Sequence, residues 1–159
     1  MEHEFTSCQL RPLSENYAAQ MLQWEYEPPY AEYSFKGQHD DWLMDQSTWG
    51  VEQFCLANVK DAVAQVACQL EGDDLWVGWS LAPSLCGKGN GAQFVALCVM
   101  RLIELKQPAG RVLLRVAARN KRAIKAYQKA GFAYLETIQD EIAYSNHMED
   151  FWVMVWTNR

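Results

Sequence analysis

Apolar positions change rhythm several times along the chain. Tyr17, Met21 and Trp24 recur at helical spacing behind Ser14, a capping residue type, and predict a helix from Glu15 to about Tyr26. Pro28-Pro29 stops it, and Cys8–Leu13 before it reads as a short strand. Tyr30–Gln38 shows no period, and His39–Gln46 predicts a second short helix. From residue 51 the apolar residues crowd into short runs. VEQFCLANV (51–59), AVAQVACQL (62–70) and LWVGWSLA (75–82) predict strands, joined by turns at Lys60-Asp61 and Glu71-Gly72-Asp73-Asp74. The helical period returns over Gly91–Lys106, with Phe94, Leu97, Cys98, Leu102 and Leu105 on one face. Pro108-Ala109-Gly110 breaks the chain. RVLLRVAA (111–118) predicts a buried strand, and Asn120 and Gly131 bracket a helix over Lys121–Ala130. FAYLETI (132–138) and FWVMVW (151–156) predict two closing strands. The order β-α-α-β-β-β-α-β-α-β-β is that of a mixed α/β (α+β) domain in which an antiparallel meander feeds one βαβ crossover.

Composition narrows the function. A chain of 159 residues, half of them hydrophobic, is expected to form a single domain over residues 1–159 with a real core. No apolar run reaches the ~18 residues needed to span a membrane, and the acidic start MEHEFTSCQL lacks an apolar leader. Cys8, Cys55, Cys68, Cys86 and Cys98 are scattered, with no C-x-x-C and no ligand spacing. They read as core thiols in a reducing cytoplasm, with no disulfide and no metal site. A net charge of −6 argues against a nucleic-acid partner.

The candidate chemistry begins at Cys86-Gly87-Lys88-Gly89-Asn90-Gly91, three glycines in five residues placed after a strand and before a helix. Unpaired amides at such a turn, with the helix dipole behind them, favour an anion. A nucleotide P-loop needs Gly-Lys followed by Ser or Thr, which is absent. Gly87, Gly89 and Ala92 match the dinucleotide spacing G-x-G-x-x-A. That motif belongs on the first strand of a doubly wound sheet with an acid ~20 residues on, and RVLLRVAARN supplies none. In the next unit Asn120 and Tyr127 lie two helical turns apart and share a face. Ala123, Ala126 and Ala130 lie on the same side, and Lys121, Lys125 and Lys129 form an opposite stripe. Taken alone, this second unit is more simply a capping Asn, a packed Tyr and a solvated basic face.

These residues together resemble the GNAT superfamily of acetyl-CoA-dependent N-acetyltransferases. Leu81-Ala82-Pro83 followed by Cys86-Gly87-Lys88-Gly89-Asn90-Gly91 is similar to its strand-Pro and [Q/R]-x-x-G-x-[G/A] pattern. Asn120, Ala123, Tyr127, Gly131 and Phe132 are similar to its N-x-x-A-x-x-x-Y-x-x-x-G-F pattern. The resemblance covers roughly residues 8–157. It implies a mostly antiparallel central sheet, splayed between two central strands and flanked by helices, with acetyl-CoA in the opening. It further implies that Gly87, Gly89 and Gly91, with amides around Cys86, Lys88 and Asn90, hold the pyrophosphate. The backbone of Ser80 and Leu81 would pair with the pantetheine arm and polarise the acetyl carbonyl. Asn120 would bind pantetheine and Tyr127 would protonate the departing thiolate. Lys88, Arg119 or Arg122 could meet the ribose phosphate, and no metal is required.

The general base is not legible. Ribosomal-protein alanine N-acetyltransferases carry a Glu five residues before the Asn, where this chain has Arg115, and Cys86 replaces the usual Gln or Arg. Asp74 is a candidate in the position of an early-strand acid that other members use. WEYEPPYAEY (24–33) offers Glu25, Tyr26 and Tyr30 to a cationic acceptor, or simply packs aromatics at a helix end. His39 and His147 fall in loops. The expectation is a cytoplasmic N-acetyltransferase, monomer or homodimer, acting on a primary amine. The alternative is a non-catalytic acyl-CoA-binding module.

Overall fold

The computed structural model describes residue 5 and residues 7–37, 40–59, 61–141 and 147–158; His39 and Lys60 lie outside them. In chain order the elements are β1 (Gln9–Pro12), α1 (Glu15–Met21), α2 (Asp40–Leu43), β2 (Gln53–Ala57), β3 (Ala62–Glu71), β4 (Asp74–Leu81), α3 (Gly91–Lys106), β5 (Val112–Ala117), α4 (Lys121–Ala130), β6 (Phe132–Glu141) and β7 (Met148–Trp156). Three single 3-10 turns, Ala31–Tyr33, Gln46–Thr48 and Pro83–Leu85, fall between them. Among the described residues the strands form a seven-stranded mixed sheet in the order β1-β2-β3-β4-β5-β7-β6. β4 and β5 are parallel neighbours joined through α3, and β1–β2, β2–β3, β5–β7 and β6–β7 are antiparallel. The chain divides into two compact units, Met1–Cys68 with Trp79–Asn90, and Gln69–Gly78 with Gly91–Arg159.

In the first unit Ser14 caps α1, its hydroxyl accepting the Tyr17 N–H at 3.3 Å. The helix stops at Met21, a turn before the Tyr26 that its periodicity predicts. The carbonyl of Trp24 instead accepts the N–H groups of Phe35 (2.9 Å) and Lys36 (3.2 Å), closing residues 25–34 into a loop. Trp24 stacks edge-on against Phe35, with ring centroids 5.7 Å apart. Leu13, Ala18, Met21, Phe35, Leu43 and Cys55 form the core beneath. Burial pushes the Cys55 thiol up to about 12, so it stays a protonated core group.

The second unit sets α3 and α4 together and pairs β5, β7 and β6. Its core holds Phe94, Val95, Cys98, Val99 and Leu102 of α3 with Val112, Leu114, Val116, Ile124 and Met154. The buried stripe of α3 is rotated from the predicted one: Val95 and Val99 are inside, while Leu105 is 53% exposed. The β6–β7 hairpin is longer than its apolar residues predict. Its pairing continues through Gln139↔Asp150, Asp140↔Glu149 and Glu141↔Met148, with an irregularity between Tyr134 and Glu136. β7 also inserts between β5 and β6, so the connection through α4 skips a strand, a second crossover that the sequence order alone does not reveal.

Candidate active site

Past the end of β4, Pro83 opens one 3-10 turn and the chain enters the glycine cluster. Gly87 (φ +73°) and Gly89 (φ +75°) both occupy left-handed backbone. A Cβ at either would meet nothing within 4 Å, so glycine is there for backbone direction and the space above the turn is open. Gly87, Lys88 and Gly89 are exposed, and Asn90 is buried immediately before α3. A glycine turn that leads into the first turn of a sixteen-residue helix suits a phosphate-bearing ligand. Gly91 has a different task. A Cβ there would stand 3.3 Å from that of Ala126, so its absence lets the start of α3 close on α4.

On α4, Asn120 is the N-cap: its Oδ1 accepts the Ala123 N–H at 3.3 Å. Gly131 (φ +130°) ends the helix by donating its N–H to the Tyr127 carbonyl at 3.1 Å. Tyr127 is half-buried, its ring edge-on to Phe132 with centroids 6.2 Å apart. Lys121, Lys125 and Lys129 are exposed. The cap uses the oxygen of the Asn120 amide, so its nitrogen is the group that can donate to a ligand.

At the end of β4 the hydroxyl of Tyr26 donates to the Leu81 carbonyl at 2.6 Å. Cys86 Sγ lies 3.7 Å from the same oxygen and 3.6 Å from the Ala82 carbonyl. Burial, and then the neighbouring Cys86, hold the Tyr26 phenol well above its ordinary pKa. Of the three acceptor candidates, Tyr26 is therefore joined to Leu81 and Cys86. Glu25 turns instead to an exposed ion pair with Lys36 at 3.2 Å. Tyr30 sits half-buried at the head of the Ala31–Tyr33 turn, its N–H on the Glu27 carbonyl at 2.8 Å.

Asp74 does not suit the role of base. Its carboxylate accepts the Arg111 N–H at 2.7 Å and the Arg111 guanidinium at 3.0 Å. Those bonds hold its pKa below the usual carboxylate range, which favours the anion and weakens it as a proton acceptor. Arg115 pairs with Asp140 and lies 4.8 Å over the Phe151 ring. Arg119 Nε meets Glu149 Oε2 at 2.9 Å, while Glu149 Oε1 is buried without a hydrogen-bond partner among the described residues. Sequence reasoning missed both acids, because they sit in the polar part of the β6–β7 hairpin, paired with each other, and only the strand order β5-β7-β6 brings them to Arg115 and Arg119. Among the described residues no group of three or more His, Cys, Asp or Glu could hold a metal, and no helix is long and apolar enough to cross a membrane.

Comparison with known proteins identifies the family and the fold. The family model of the acetyltransferase (GNAT) domain matches residues 8–133. A chimera of the Vibrio cholerae spermidine N-acetyltransferase SpeG with hSSAT superposes with a TM-score of 0.69 at 18% identity, covering 94% of each chain. A variant of the Vibrio cholerae SpeG enzyme gives 0.70 at 15% identity, covering 94% of this chain and 93% of that one. A GNAT-family acetyltransferase from Bacillus anthracis gives 0.55 at 14% identity over 67% of this chain and 66% of that one. The chain belongs to the GNAT acetyltransferases.

Proposed function

We propose that this protein transfers an acetyl group from acetyl-CoA to a primary amine, by direct attack of the amine in a ternary complex, with residues 1–159 acting as one such domain. The observation that carries the reading is the open left-handed turn at Gly87 and Gly89, followed in order by the Asn120–Tyr127 helix. In this reading the amides from Gly87 to Gly91 bind the pyrophosphate, with exposed Lys88 beside them to meet phosphate charge; the Cys86 N–H, which the sequence also offered, is instead donated to the Pro83 carbonyl at 3.2 Å. The backbone of Ser80 and Leu81 aligns the pantetheine arm and polarises the acetyl carbonyl. The Asn120 amide nitrogen donates to pantetheine. Tyr127 gives its proton to the sulfur as the carbon–sulfur bond breaks, and the attacking amine releases its own proton to solvent. When bound, acetyl-CoA supplies the activated acetyl group as a thioester.

The acceptor side is built by the loop of residues 25–34, where Glu25, Tyr26 and Tyr30 lie among further acids and aromatics, a composition that favours a cation. Polyamines come first among the acceptors to test, since proteins of similar fold include spermidine N-acetyltransferases. Two experiments decide the reading. Isothermal titration is expected to show acetyl-CoA binding in preference to NADPH and ATP. Thiol release is then followed over spermidine, other alkylamines, amino acids and short peptides. Tighter binding of NADPH or ATP overturns the cofactor assignment. Binding of acetyl-CoA with no thiol released by any amine replaces the enzyme with an acyl-CoA-binding module.

A further inference from the structure

The Leu81 carbonyl presents an accounting problem that the fold resolves in an unusual way. Ala82 donates its N–H to the Val63 carbonyl at 2.8 Å, toward β3. Backbone groups of successive strand residues alternate between the two edges, so the N–H and C=O of Leu81 leave β4 on the edge away from β3. A backbone carbonyl in a half-buried place needs a donor. Two side chains supply it: the hydroxyl of Tyr26, 55 residues upstream, donates at 2.6 Å, and the Cys86 thiol approaches the same oxygen at the longer distance of 3.7 Å.

Tyr26 is itself held from behind. Its N–H donates to Ser34 Oγ at 2.9 Å, and Ser34 is 8% exposed. The Trp24 carbonyl clasps Phe35 and Lys36 on the far side of the loop. The ring therefore has little freedom, and its hydroxyl ties the loop of residues 25–34 to the last residue of β4.

We infer that Tyr26 is a positioning residue whose hydroxyl fixes the backbone direction at Leu81, so that the Leu81 N–H on the same edge is aimed at the acetyl carbonyl of acetyl-CoA. The inference rests on the acetyltransferase reading and assigns Tyr26 a role distinct from contact with the acceptor. It also couples the two substrates physically, because the loop that offers acids and aromatics to an amine is seated on the strand that aligns the thioester.

The test is Tyr26→Phe, which keeps the ring and removes the hydroxyl. With acetyl-CoA and the amine that is fastest in the thiol-release panel, kcat is expected to fall at least about tenfold while the KM for acetyl-CoA stays within about twofold. Labelling with carbonyl-13C leucine and 15N alanine marks two peptide bonds, Leu56–Ala57 and Leu81–Ala82. The Leu81–Ala82 signal is expected to move in the variant and the Leu56–Ala57 signal to stay. Ser34→Ala loosens the backbone seat of Tyr26 without touching the hydroxyl. It is expected to lower kcat by a smaller factor at constant acetyl-CoA KM, and it carries the test should Tyr26→Phe fail to fold. A folded Tyr26→Phe with unchanged kcat, or Ser34→Ala with unchanged kcat where Tyr26→Phe does not fold, overturns the inference and leaves the acetyltransferase reading standing. A wild-type chain that releases no thiol with any amine removes both.

Discussion

At the start of β4, Gly110 has Asp73 and Asp74 pressed against it. A Cβ there would lie 2.5 Å from Asp74 Oδ1 and 2.8 Å from the Asp73 carbonyl oxygen. Beyond the other end of the strand, a Cβ on Gly87 or Gly89 would touch nothing within 4 Å. Gly110 lies outside the left-handed region, whereas Gly87 and Gly89 lie in it. In the first turn the missing side chain lets protein pack on protein, through the Gly110 N–H on the Asp73 carbonyl (2.7 Å) and the Leu75 N–H on the Arg111 carbonyl (2.8 Å). In the second it permits left-handed backbone with open space above it. Gly110 serves packing, whereas Gly87 and Gly89 serve backbone direction; what sets them apart from the equally open Gly72 of the β3–β4 turn is their place just before α3.

The comparison breaks first at Gly89. Gly89→Asp places a carboxylate where phosphate is expected, on backbone that L residues adopt reluctantly. Acetyl-CoA affinity is expected to fall by about 100-fold or more, roughly 3 kcal/mol by titration. Gly89→Asn, which tolerates left-handed backbone without charge, is expected to lose much less. Equal affinity of Gly89→Asp and wild type would put the phosphates elsewhere.

Gly110→Ala is the mirror experiment. Forcing a methyl against the Asp73 backbone is expected to cost roughly 1–3 kcal/mol in denaturant unfolding, while the folded variant binds acetyl-CoA as wild type does. A change in affinity without a loss of stability would erase the distinction between the turns.

Tyr127→Phe asks the same question of α4. A tyrosine hydroxyl can donate its proton to a departing thiolate. kcat is expected to drop at least about tenfold, with acetyl-CoA affinity and melting temperature little changed. Loss of folding or affinity instead would make Tyr127 a packing residue against Phe132.

The smallest effect belongs to the Asp74–Arg111 pair. Its hydrogen bonds to Arg111 lower the folded-state pKa of Asp74 below the unfolded value near ~3.9. The resulting stability is present above that unfolded pKa and is lost as pH falls through the folded one. A stability difference between wild type and Asp74→Asn at neutral pH should therefore shrink below about pH 4. A difference that persists to lower pH would mean that the pair acts through packing.

Much of this was legible along the chain because its cause is local. The Ser14 and Asn120 caps, the extents of α3 and α4 and the glycine turn depend on residues a few positions apart, and the structure places each where the sequence predicts. The end of α1 was not legible, because Trp24 bonds Phe35 across a loop instead of continuing the helix. Nor was the α3 stripe, where neighbouring elements decide that Val95 and Val99 are covered and Leu105 is left in solvent. Asp140 and Glu149 look like solvated hairpin residues until β7 enters between β5 and β6 and sets them against Arg115 and Arg119. Tyr26 looks like one aromatic among several until its hydroxyl reaches the carbonyl of Leu81. Backbone propensity and periodicity act over one or two turns of chain, so the sequence by itself determined the elements and the glycine signature. Register, strand order and the pairing of distant polar groups are satisfied only once the chain closes on itself, so the tertiary structure alone decided which side chains surround that signature.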